Sequence, residues 1–197
     1  MDPELSSRRI TSAFPRSWEA EVLEKRPLIL PPQHFAYPHR AEEVERGALE
    51  VLVRPSEGAL FLATFALGFA EPALPSGLWS CPAADDLCAV AGGYAYIVNM
   101  RAPQSCAHLP FRPALEVRPL PEHGLLLFTG HHALLAWGAN GEAWQTPRLS
   151  AEGLRLTEIR GNQLYGFGWD LLTDRELPFT VDLRTGASFH VPPESAP

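Results

Sequence analysis

The feature that most constrains this chain is a pattern of short apolar runs and turns that recurs between Ala48 and Phe189. Leu115-Glu116-Val117 is followed, nine residues after its first leucine, by Gly124-Leu125-Leu126-Leu127-Phe128, and Leu49-Glu50-Val51 by Gly58-Ala59-Leu60-Phe61-Leu62 at the same step. Leu154-Arg155-Leu156 and Gly161-Asn162-Gln163-Leu164-Tyr165 repeat it two residues shorter. Each copy reads as strand, polar turn, strand, which is an antiparallel hairpin. A second hairpin follows: Leu134 to Trp144 around Asn140-Gly141, and Phe179 to Phe189 around Thr185-Gly186. In the first copy, Tyr94-Ala95-Tyr96-Ile97-Val98 and Ser105 to Leu109 take that place. Asn-Gly favours a two-residue turn because its central positions need positive φ. The expectation is an all-β domain over residues 48–191, built from three four-stranded units at about 48–110, 114–149 and 153–191, with a period of about 40 residues.

Composition agrees with short elements. Twenty prolines and fifteen glycines in 197 residues oppose long helices. A hydrophobic content of 46% is too high for a disordered chain. The formal charge of −7, with no cluster of Lys and Arg, argues against nucleic-acid partners. No apolar run reaches the length of a membrane span, and residues 1–7 lack the basic-then-apolar layout of a secretory leader. Three cysteines, an odd number, suit a reducing compartment. A soluble cytoplasmic protein is the expectation.

Residues 1–47 differ from the rest and read as an extended arm packing on the β domain. Ser17 to Lys25 suggests a helical turn capped by Ser17. Pro27-Leu28-Ile29-Leu30-Pro31-Pro32 should be extended, as an edge strand or a tether hiding apolar surface. Ala41 to Arg46, ended by Gly47, suggests a further helical turn. The one long departure from the repeat is residues 71–93, and long insertions in compact domains are often functional. Within it, Ser80, Pro82, Asp85-Asp86 and Gly92-Gly93 carry the start and stop signals of a short helix. In Tyr165-Gly166-Phe167-Gly168-Trp169-Asp170 the alternating glycines predict close approach of another backbone, or an aromatic ring packed across them. Residues 192–197 read as a tail.

Four-stranded units with this punctuation resemble, in layout, the blades of a β-propeller across residues 48–191. The Gly-His and Trp-Asp pairs of the WD-repeat family are missing at their usual spacing, Trp169-Asp170 being a lone dipeptide. Three blades are too few for a standard ring, which has about four to eight. The units therefore form an open or sandwich-like stack, or two chains complete one ring as a homodimer.

Few residues point to chemistry. His34 and His39 flank Phe35-Ala36-Tyr37-Pro38 and are weak metal candidates, since no carboxylate or cysteine accompanies them. His131-His132 reads as a turn. Cys81, Cys88 and Cys106 lack the close pairing of zinc sites and read as buried thiols. Asp85, Asp86 and Asp170 are the carboxylates that acid–base work would require, although capping and turn roles explain them as well. Nucleophile-elbow, phosphate-loop and metalloprotease motifs are missing, and no cofactor is implied. Trp79, Tyr94 and Trp169 offer contact area for a ligand or partner. The preferred reading is a non-catalytic module binding a protein or small molecule through Trp79, Asp85, Asp86, Tyr94, Trp169 and Asp170, framed by the 71–93 insertion. The alternative is a hydrolase or lyase in which one of those carboxylates meets a histidine.

Overall fold

The computed structural model describes residues 10–38 and 47–190. His39, the expected helical turn at Ala41 to Arg46 and the 192–197 tail lie outside the described residues. The protein is nearly all-β, its strands forming four small sheets. It divides into two compact units, one running through Ala114 and the other from Leu115 onward, each with its own apolar core. This replaces the single domain expected over residues 48–191.

The first unit holds two sheets. One contains β2 (Trp18–Leu23), β3 (Gln33–Tyr37), β4 (Ala48–Pro55) and β5 (Phe61–Ala66), ordered β2-β4-β5-β3, with β3 running parallel to β5. The other contains β1 (Ile10–Thr11), β6 (Gly77–Ser80), β7 (Asp86–Ala91), β8 (Tyr94–Asn99) and β9 (Cys106–His108), in that order, with β1 parallel to β6. Residues 10–37 are thus integral to the sheets and not an arm laid over them. The proposed helical turn after Ser17 is β2, whose alternation places Trp18 and Val22 in the core and Glu19 and Glu21 outside. The 27–32 segment is neither edge strand nor cover. Leu28 and Ile29 project into solvent at 103% and 88% of full exposure.

The expected 48–110 unit straddles both sheets. Its first hairpin, β4 and β5, belongs to one, and β8 and β9 belong to the other. What seemed an insertion supplies the missing hairpin of the second sheet, β6 and β7. Residues 80–93 form no helix: their polar cluster makes the turn before β7, and Ser80 Oγ accepts the backbone N–H groups of Ala13 and Phe14 at 3.0 and 2.9 Å. Gly92 and Gly93, at φ 54° and 77°, form a two-residue hairpin turn between the paired Ala91 and Tyr94. Helix-capping residues are also turn residues, and the run Leu87 to Ala91, buried on both faces, has no periodicity to decide between them.

The second unit is two antiparallel meanders. β10 (Glu116–Leu120), β11 (Leu125–Thr129), β12 (Leu134–Gly138) and β13 (Gly141–Gln145) form one. β14 (Leu154–Arg160), β15 (Gln163–Asp170), β16 (Arg175–Asp182) and β17 (Ser188–His190) form the other. A single 3-10 turn at Pro121–His123 joins β10 to β11. The β12–β13 turn falls one residue earlier than Asn-Gly predicts. Gly138 pairs with Gly141, leaving Ala139 and Asn140 at the tip, and the register slips between Ala136 and Trp137.

Each core is aromatic and aliphatic. In the first unit Tyr37 stacks on Phe65 at 5.0 Å, and Phe65 meets Tyr96 at 5.5 Å. In the second, Leu127, Leu134, Leu164, Phe179 and Val181 are fully buried around Trp144, whose indole N–H donates to the Leu183 carbonyl at 2.8 Å. Burial of each large side chain is worth about 1.5–3 kcal/mol against its conformational entropy.

Candidate functional site

In β15, Gly168 has no side chain because the loop after β13 runs against it: a Cβ there would lie 2.4 Å from the Leu149 carbonyl oxygen. Gly166 faces the Phe179 ring in the same way, at 2.5 Å. Both readings of the alternating glycines therefore hold, one at each position. The loop is laced in place. Leu149 N–H donates to the His132 carbonyl at 2.7 Å, Trp169 N–H to Ser150 Oγ at 2.8 Å, and Ala151 N–H to the Trp169 carbonyl at 2.7 Å.

This lacing leaves a cavity of about 330 Å³ lined by Arg148, Ser150, Trp169, Asp170, Leu177 and His190, among others. Arg148 donates from Nε to the Ser150 carbonyl and from Nη2 to the Ala151 carbonyl, both at 3.0 Å. Asp170 Oδ2 accepts from the Thr173 hydroxyl at 2.7 Å and from its amide at 3.0 Å. Those two bonds, with a smaller contribution from His190, hold the Asp170 carboxyl below its ordinary range, so it is ionised at neutral pH. His190 Nε2 faces the Leu149 carbonyl at 3.3 Å, so that nitrogen carries the hydrogen. Ser150 is buried, and its oxygen accepts two amide N–H groups, from Glu152 and Trp169. That geometry suits a structural serine better than a nucleophile.

Of the six expected site residues, this cavity brings together Trp169 and Asp170. The other four are dispersed in the first unit. Asp85 accepts from Ser17 Oγ at 2.5 Å and pairs with Arg101 Nε at 2.6 Å, beside a second recess of about 260 Å³. Asp86, its neighbour in sequence, turns to its cross-strand partner Asn99, whose Nδ2 donates at 2.7 Å. Trp79 is half-buried within β6, opposite Cys88. Tyr94 is a packing residue: Phe69 meets its ring edge-on at 5.6 Å, and the Arg112 guanidinium lies 4.6 Å from its centre. The 71–93 segment thus frames no common site. Part of it is core, with Leu78, Cys81, Leu87 and Cys88 wholly buried.

His34 belongs to a polar network on the first sheet. Its Nε2 lies 3.0 Å from Thr64 Oγ1, which donates to Glu50 Oε2 at 2.6 Å. The same His34 Nε2 lies 3.4 Å from Arg26 Nη2, which ties the arginine into the network. Burial, then the nearby Arg26, push the His34 pKa down. Among the described residues no group of three or more His, Cys, Asp or Glu is placed to hold a metal ion. Burial raises the thiol pKa of all three cysteines, Cys106 to about 12. Arg148 and His190 carried no signal of their own in the sequence; only the pairing of Phe179 with His190 and the course of the 146–151 loop bring them to Asp170.

No family model matches the chain, and no curated protein matches it. Among solved structures it is similar to apo AztD from Citrobacter koseri, at 13% identity and a TM-score of 0.42, over 72% of this chain and 43% of that one. It is also similar to the extracellular domain of BT4673 from B. thetaiotaomicron, at 11% and 0.38, over 73% and 22%. The N-terminal domain of Nup159 aligns at 10% and 0.38, over 92% and 53%. This chain spans about half or less of each of those structures.

Proposed function

We propose that the protein is a non-catalytic binding module whose ligand occupies the cavity between the 148–151 loop and the end of β15. The observation that carries this reading is the convergence of an aromatic face, Trp169, with charged side chains of both signs on one preformed recess. The loop's backbone hydrogen bonds support it, because a site fixed before binding loses little entropy on occupation. Thermal-shift measurements against a metabolite collection, run on the protein and on Trp169→Ala, test it. Ligands should raise the melting temperature of the first and not of the second, since only native-state binding stabilises. Equal shifts in both proteins would refute the assignment.

A second reading is a hydrolase or lyase, favoured by Asp170 and His190 lining the same cavity. Against it, Asp170 is committed to Thr173 and His190 Nε2 to Leu149. Turnover of ester or glycoside substrates that vanishes in Asp170→Asn would favour the enzyme.

The proposal extends to architecture: the sheets are propeller-like blades, a reading supported by strand order that follows the chain in both sheets of the second unit. If two chains complete a ring, the solution mass is twice 21.7 kDa. Unpaired thiols, two of them buried, support the reducing cytoplasm as its location.

A further inference from the structure

Arg148 and Asp170 carry opposite charges into the same recess, and neither takes part in an ion pair among the described residues. Their own hydrogen bonds run to uncharged groups. Arg148 is oriented by two carbonyls, with no bond to Nη1 among the described residues, and Asp170 by the amide and hydroxyl of Thr173. Each is therefore held in position without an ion-pair partner, Arg148 exposed and Asp170 half-buried, so a ligand entering from solvent meets both charges. A second surface acid or base would leave one of the two unmatched. A single molecule bearing an ammonium and a carboxylate matches both. Trp169, Leu177 and Leu171 supply apolar surface in the same recess.

We propose that the cavity binds a zwitterion of the α-amino-acid type, free or as a short peptide, with its carboxylate on Arg148, its ammonium on Asp170 and its apolar side chain against Trp169. The proposal rests on the binding-module reading and specifies its ligand. His190 is confined to a secondary role, since its Nε2 hydrogen is committed to the Leu149 carbonyl.

The test uses the unaltered chain and three probes that share one apolar side chain: L-leucine, N-acetyl-L-leucine and L-leucinamide. Binding is followed by titration calorimetry and by the indole N–H resonance of Trp169. Leucine should bind and shift that resonance. Removing either charge from the ligand should weaken binding about ten- to a hundredfold, the worth of one hydrogen bond to a charged group. With Asp170→Asn the leucine and leucinamide affinities should fall while that for N-acetyl-leucine holds. Arg148→Gln should do the converse. Equal affinity for the three probes overturns the zwitterion. If none of them binds but uncharged fragments still shift the Trp169 resonance, the ligand class is wrong and the binding reading stands. If nothing shifts it, both fall.

Discussion

At Gly168 the backbone dihedrals are ordinary, so only space explains the glycine: a methyl group would meet the Leu149 carbonyl at 2.4 Å and the Ser150 Cβ at 3.0 Å. Gly168→Ala should therefore cost about 1–3 kcal/mol, the usual range for overpacking, read as a lower denaturant midpoint. It should also displace the 148–151 loop and so alter the cavity. Thr64→Val would leave the buried Glu50 carboxylate without its short hydroxyl partner and should cost about 1–3 kcal/mol by the same measurement. His34 gives a pH signature. Its folded-state pKa is depressed, first by burial and then by Arg26, so the unfolded chain takes up that proton more readily. The stabilisation is complete above the unfolded value of about 6.5 and is lost as pH falls through it. A melting-temperature profile should show a smaller loss between neutral and mildly acidic pH in His34→Asn than in the parent.

At the level of strands and turns, much was readable from the sequence. The hairpins β4–β5, β10–β11, β14–β15 and β16–β17 lie where apolar runs and turn residues place them, and β12–β13 does so with its turn one residue earlier. β2 was equally legible, since Trp18-Glu19-Ala20-Glu21-Val22 alternates with period two; the serine before it favoured helix, and that local cue was the weaker one. β6 and β7 were obscured because a strand buried on both faces loses its alternation. The parallel pairings of β1 with β6 and β3 with β5 have no local signal at all. The cavity was half legible. Trp169, Asp170 and the glycines before them stand in one strand, whereas Arg148 and His190 reach it from a loop and from another strand. A two-glycine turn in the left-handed region also yields a prediction. Gly92→Ala would combine positive φ with a contact of 2.4 Å to the Phe69 carbonyl, and it should lower the yield of folded protein more than Gly124→Ala, whose Cβ would meet open space.

For the molecule as a whole, the two cores give separate handles. All three cysteines lie in the first unit, and burial keeps their thiols protonated. An aromatic disulfide reagent at pH 8 should find almost none of them in the native protein and all three in denaturant. Their reaction reports opening of the first core. Leu87→Ala, at a fully buried position beside Cys88, should move the denaturant concentration of that exposure downward by the equivalent of about 2–5 kcal/mol.

The donation of β1 to a sheet whose other strands begin at Gly77 also bears on the order of assembly. Phe14 must wait for Ser80, 66 positions later, before its amide finds a partner, and Trp18 waits for Asp86. Within each sheet of the second unit, neighbouring strands are consecutive in the chain. Closing large loops is slow because entropy is lost before contacts form, so the local meanders should acquire protection from hydrogen exchange first and the interleaved sheets last. For a ribosome-bound chain that reverses the direction of synthesis: the half made second is the half ready to fold on emergence.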